Sequence, residues 1–175
     1  MKVVRKIANW TILGCFVLAL VAFIMPTYRQ GEPSVAGKKA EDFALSLGGR
    51  PAHLSDLKGK VVVLNFWASY CGSCVEELPS LDHLQQRITS RGGVVVGISV
   101  DEDPGAYEKF LVEHPVAFST YYEPTKRVSL AYGTSMIPET YVIDRQGRLA
   151  RKIIGPQQWD SEEMLGYFET ALSQN

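Results

Sequence analysis

Cysteine and histidine are scarce. The 175-residue chain has three of each, and that scarcity excludes two common ways of holding a small protein together. Three cysteines cannot build a disulfide framework, and one of them, Cys15, sits apart in an apolar segment. A structural zinc site needs four clustered Cys or His ligands. Cys71 and Cys74 would need two more, yet His53, His83 and His114 are scattered and read as exposed polar residues. An excess of either charge is also missing: 18 Lys and Arg against 19 Asp and Glu give a net charge of −1, so nothing points to nucleic acid. There is no internal repeat and no low-complexity segment.

The first thing present is an N-terminal segment of its own kind. Lys2, Arg5 and Lys6 precede Trp10 to Met25, which holds no charge and only Thr11 as a polar residue. From Ile7 the stretch is long enough to cross a bilayer as a helix. The basic flank comes first, so the N-terminus stays cytoplasmic and the remainder is exported. A retained signal-anchor is the favoured reading. A cleaved signal peptide shares these features, but no small-x-small site closes the apolar run. Ile12-Leu13-Gly14-Cys15 bears a slight likeness to a lipobox, although the apolar run continues past it. The expected organisation is residues 1–26 as one transmembrane helix, 27–37 as a polar tether, and 38–175 as the folded domain.

That domain is organised around the stretch from Asn65 to Pro79. Val61 to Phe66 is continuously apolar and reads as a buried strand. It leads into Cys71-Gly72-Ser73-Cys74, after which apolar residues at 74, 78, 81, 84 and 88 mark a helix face, with a kink expected at Pro79. A hairpin precedes it: Phe43 to Leu47, a turn at Gly48-Gly49, and a return over Pro51 to Leu57. After it come a strand (94–100), a helix capped by Asp103 with Pro104 in its first turn, a strand (116–120), a helix (124–131), a hairpin (140–144 with 149–154) and a last helix capped by Asp160. The alternation implies an α/β domain with a central mixed sheet and helices on both faces.

Two cysteines two residues apart at a strand-to-helix junction have a physical logic. The helix N-terminus presents unpaired N–H groups and the positive end of the dipole, which stabilise a thiolate at Cys71. Cys74 falls on the apolar face with Leu78 and Leu81. Cys71 is therefore expected to be the exposed nucleophile and Cys74 the buried thiol that resolves the mixed disulfide.

Four motifs carry a resemblance. They are Gly37-Lys38-Lys39-Ala40-Glu41-Asp42-Phe43, Leu54-Ser55-Asp56-Leu57-Lys58-Gly59-Lys60, Asn65 to Cys74, and Met136 to Asp144. In this order they resemble the thioredoxin superfamily, and within it the membrane-anchored TlpA/ResA/CcmG branch. The resemblance implies a thioredoxin-like fold with an N-terminal β-hairpin extension. It makes Pro138 the cis-proline facing the dithiol, with the Ile137 backbone open to an extended substrate, and Glu77 the acid that exchanges a proton with Cys74. Trp67 would shield the site and Tyr70 flank it, standing where tryptophan is common. Asn65 replaces an aspartate usual in thioredoxins and cannot move a proton, which shifts that role to Glu77. Glu139 after the proline is similar to the cytochrome-maturation members.

The function implied is a reductase of exported disulfide proteins, apocytochrome c foremost, supplied by a membrane dithiol donor. It would be a monomer with no cofactor and no metal. An oxidase, a peroxiredoxin and an exported copper-binding module are the alternatives. The first usually carries a large helical insertion, the second needs Thr or Ser where Ala68 stands, and the third lacks a Met or His beside the dithiol.

Overall fold

The computed structural model describes residues 35–174. The anchor and most of the tether expected from the sequence lie outside them. Among the described residues no helix is long and apolar enough to cross a membrane.

Strand β1 (Ala44–Leu47) pairs antiparallel with β2 (Arg50–His53) in a two-stranded sheet. The turn between them needs positive φ at both Gly48 and Gly49, which glycine adopts without steric cost. The return is shorter than the expected 51–57, because Leu54–Leu57 forms a 3₁₀ turn. Asp42 causes the change of course. Its carboxylate accepts from Ser55 N at 2.8 Å and from Ser55 Oγ at 3.0 Å, and the turn buries Leu54 and Leu57.

The main sheet has the order β5-β4-β3-β6-β7. Its members are β3 (Val61–Trp67), β4 (Gly93–Ser99), β5 (Ser119–Tyr122), β6 (Glu139–Ile143) and β7 (Leu149–Ile154). β3, β4 and β5 run parallel, and β6 and β7 complete the sheet antiparallel. Side chains of β3 alternate between faces. Val61, Val63 and Trp67 enter one core, with α1 (Gly72–Thr89), α2 (Pro104–Glu113) and α4 (Glu162–Ser173). Val62, Leu64 and Phe66 enter the other, with the hairpin and with Val128 of α3 (Arg127–Ala131). Central β3 is buried at every position, as its unbroken apolar run requires.

Helix α1 runs through Pro79 to Thr89, as the apolar spacing implies. Three boundaries differ from the sequence expectation. β5 starts at Ser119, not Val116, because Phe118 is buried in the core and Asp82 Oδ1 takes the Ala117 N–H at 2.8 Å, tying that segment to α1. α3 starts at Arg127, not Pro124, because Lys126 has a left-handed φ of 56°, while the Glu123 carboxylate binds the Thr125 hydroxyl and Val128 N. The cap of α4 is Ser161, whose Oγ accepts from Met164 N at 3.3 Å. Asp160 is instead engaged by His83 Nδ1 at 2.9 Å and Gln158 Nε2 at 2.6 Å.

Candidate active site

Parallel strands β3 and β4 end at the same edge of the sheet, where α/β proteins place their sites. From β3 the chain runs through Ala68, Ser69 and Tyr70 into Cys71. The Cys71 N–H donates to Ala68 O at 3.1 Å, closing a turn. Cys71 is the N-cap of α1, and Cys74 lies in its first turn. The two form a disulfide with Cα atoms 5.2 Å apart. Cys71 Sγ receives the Cys74 N–H at 3.2 Å and lies 3.5 Å from Ser73 Oγ. These donors and the helix end are suited to hold a thiolate when the bond is reduced. Both cysteines are buried, so Cys71 is less open than the sequence implies, but it keeps 8% of its surface and Cys74 only 1%.

Glu77 is one turn beyond Cys74 and is buried. Its Oε1 accepts from Asn65 Nδ2 at 2.9 Å. Its Oε2 accepts from Trp159 Nε1 at 3.0 Å and from Gln157 N at 3.1 Å. Asn65 also donates to Thr140 Oγ1, its register partner on β6, at 2.9 Å. Burial pushes the Glu77 carboxyl above the usual glutamate range, and the bonds from Trp159, Gln157 and Asn65 act against that push. The result is a sequestered acid held between β3, α1 and the loop before α4, on the helix that carries Cys74.

The Ile137–Pro138 peptide is cis. Among the described residues, neither backbone polar group of Ile137 has a hydrogen-bond partner. Ile137 is half-buried, Met136 is exposed, and Tyr70 is 69% exposed. Trp67 is placed differently. It is buried beneath the redox turn, with its ring 4.8 Å from that of Phe110 and 6.0 Å from that of Tyr107, and it offers no surface to a docked chain.

Two features were not found by sequence reasoning, and a third, Glu139, was singled out there without its burial or its partner. Asp101, past the end of β4, holds Ser69 of the redox turn. Trp159 and Gln157 complete the cradle of Glu77. Glu139, beside Pro138, is fully buried and paired with buried Lys152 of β7. Lys152 Nζ donates to Gly133 O at 2.9 Å, Ser135 N donates to Glu139 Oε2 at 3.2 Å, and Tyr141 OH lies 2.7 Å from Tyr132 O. The pair thus grips the segment leading to Ile137. Among the described residues, no group of His, Cys, Asp and Glu side chains could hold a metal ion.

A thioredoxin-like sheet that delivers a Cys-x-x-Cys disulfide to a helix N-terminus, and that carries a cis-proline just before β6, defines a thiol–disulfide oxidoreductase. Comparison with known proteins agrees. The family model described as Redoxin matches residues 35–167, and the chain belongs to that family. It is 32% identical over 146 residues to the thiol-disulfide oxidoreductase ResA of Bacillus subtilis (strain 168), covering 82% of each chain. ResA of Bacillus thuringiensis (strain Al Hakam) is 31% identical over 143 residues, 81% of this chain and 82% of that one. Among solved structures, a protein described as thiol:disulfide interchange protein DsbE from Chlorobium tepidum superposes with a TM-score of 0.74 at 33% identity. That match covers 79% of this chain and 98% of the other. Within the thioredoxin superfamily the chain is TlpA/ResA/CcmG-like.

Proposed function

We propose that this enzyme is a membrane-tethered reductase working outside the cytoplasm, and that apocytochrome c or other exported proteins are its substrates. The observation that carries the reading is the asymmetry of the dithiol: Cys71 caps the helix and keeps a small exposed share of 8%, while Cys74, at 1%, is sequestered one turn from a buried acid. The Cys71 thiolate attacks a substrate disulfide, forming a Cys71–substrate bond and displacing the second substrate sulfur, which takes up a proton. Cys74 then gives up its proton, with Glu77 as acceptor, and attacks Cys71 Sγ. The substrate leaves as a dithiol, and the Cys71–Cys74 disulfide is reformed. A membrane dithiol returns the two electrons. The unpaired backbone of Ile137, next to exposed Met136, suits an extended chain laid across the disulfide.

The direction of electron flow rests on one further support. The connection from β4 to β6 holds only α2, β5 and α3, not the large helical insertion common in oxidases. The export and anchoring reading rests on the basic flank and apolar run of residues 1–26. The domain acts as a monomer, with Pro138 and Ile137 forming the substrate edge.

The test is a trap. Cys74→Ser, produced in membranes with its N-terminal segment intact, is expected to accumulate mixed disulfides through Cys71, and the captured proteins name the substrate. Capture of apocytochrome c supports the maturation role, and capture of other exported proteins a general one. Tight stoichiometric copper binding by the reduced protein, with no disulfide reduction, would overturn the reductase reading.

A further inference from the structure

Asp101 is a buried carboxylate that the exchange reaction described above does not use. It lies just past the carboxyl end of β4, where Val100 N donates to Trp67 O at 2.9 Å. The chains leaving β3 and β4 therefore run side by side, and the Asp101 side chain reaches across to the other. Both its oxygens face Ser69 N, at 3.1 and 3.0 Å, and Oδ1 takes the Ser69 hydroxyl at 2.6 Å. Oδ2 takes the Ser99 hydroxyl at 2.6 Å, and Asp101 N donates back to Ser99 Oγ at 3.2 Å.

No lysine, arginine or histidine pairs with Asp101 among the described residues. A carboxylate buried without a cation is costly unless donors converge on it. Here two of the three donors belong to a single residue of the redox turn. Charge-assisted hydrogen bonds are roughly twice as strong as neutral ones, so the grip is firm where it is applied. Ser69 and Tyr70 are the central residues of the turn closed between Ala68 O and Cys71 N. Fixing Ser69 fixes the turn, and the turn delivers Cys71 to the N-cap.

We propose that Asp101 is a positioning residue for disulfide exchange: through Ser69 it holds the turn that aims Cys71 Sγ at an incoming disulfide. In that step the Cys71–substrate bond forms in line with the breaking substrate S–S bond. The electron pair leaves on the displaced substrate sulfur, which takes a proton from water. In-line displacement is sensitive to the alignment of the attacking atom. Asp101 touches neither sulfur and acts only through the turn.

The test reads the first step alone. Reduced protein carrying Cys74→Ser is mixed with glutathione disulfide, and the rate of Cys71 adduct formation is measured beside the urea unfolding midpoint. Asp101→Ala is expected to slow the attack about ten-fold, more than its change in stability accounts for. Asp101→Asn can accept from Ser69 N–H and donate to Ser99 Oγ, so it is expected to restore the rate to within about three-fold. Ser69→Ala keeps the N–H bond and loses the hydroxyl, so it is expected to fall between. An Asp101→Ala rate within two-fold of the parent, or an Asp101→Asn variant as slow as Asp101→Ala, overturns the proposal. Should Asp101→Ala not fold, an unslowed Ser69→Ala overturns it. Because only bond formation at Cys71 is read, the outcome does not depend on the direction of electron flow or on the physiological substrate.

Discussion

Replacing Lys152 with methionine would leave Glu139 as an isolated charge in the interior. Both residues are essentially without exposure, and they come from neighbouring strands, Lys152 standing opposite Tyr141 on β6. The methionine keeps most of the stem volume, so cavity formation is small. What goes is the cation: Glu139 would retain Ser135 N at 3.2 Å and Tyr141 OH at 2.7 Å, and Gly133 O would lose its donor. Removing one member of a buried ion pair costs about 3–5 kcal/mol, and the orphaned carbonyl adds about 1 kcal/mol. Against a total stability of about 5–15 kcal/mol for a domain of ordinary size, the loss should move the urea midpoint far down at pH 7. Buried Trp67 and Trp159 give a fluorescence signal. The double variant Glu139→Gln/Lys152→Met should regain most of the loss, because a neutral pair removes the stranded charge. A single variant that loses under about 1 kcal/mol, or a double variant as unstable as the single, refutes the reasoning.

Glu77 sets a pH dependence with a definite sign. Its carboxyl is raised in the native state, so between the ordinary value of about 4.3 and the native one the folded chain holds a proton that the unfolded chain has lost. This contribution to stability is complete below that window and is lost as pH rises through it. Glu77→Gln should remove that slope, so that its stability relative to the parent rises with pH; unfolding curves measured from pH 4 to 8 check it, and the opposite trend would contradict the burial argument. The same variant should slow release of the mixed disulfide by Cys74 about 10²-fold while leaving the first attack by Cys71 unchanged, as read by single-turnover kinetics. At Gly97 an added Cβ would sit 2.9 Å from Trp67 Nε1 and 3.0 Å from Phe118 Cε2. Gly97→Ala should therefore cost about 1–3 kcal/mol by overpacking, measured by thermal unfolding; a neutral effect would mean that Trp67 is loosely held.

The order of elements and the placement of the dithiol were legible because they rest on short-range signals. An unbroken apolar run reads as a central strand, and α1 announces itself by the spacing of Leu78, Leu81, Leu84 and Ile88. Boundaries slipped where side chains from distant segments decide the backbone. Asp82 holds Ala117, Asp42 bends the chain at Ser55, and His83 draws Asp160 away from the helix it was expected to cap. The site divides the same way. Cys71, Cys74 and Pro138 stand in motifs. The partners of Glu77 lie about 80 positions away, at Gln157 and Trp159, and no local pattern links them. Lys152 looks like a solvent-facing residue of an alternating strand until the register sets it beside Glu139. Asp101 looks like one charge in an acidic loop until β4 aligns it with the turn leaving β3.

The central claim is the division of labour between the two sulfurs, and single-cysteine variants test it most directly. Reduced Cys74→Ser and Cys71→Ser proteins would each be mixed with glutathione disulfide at neutral pH, and adduct formation followed by mass. With 8% of its surface exposed and the helix N-terminus behind it, Cys71 should react fast in the first protein. Cys74, with 1% exposed, should be nearly inert in the second. Equal rates, or a faster Cys74, would contradict the assignment of Cys71 as the attacking thiol.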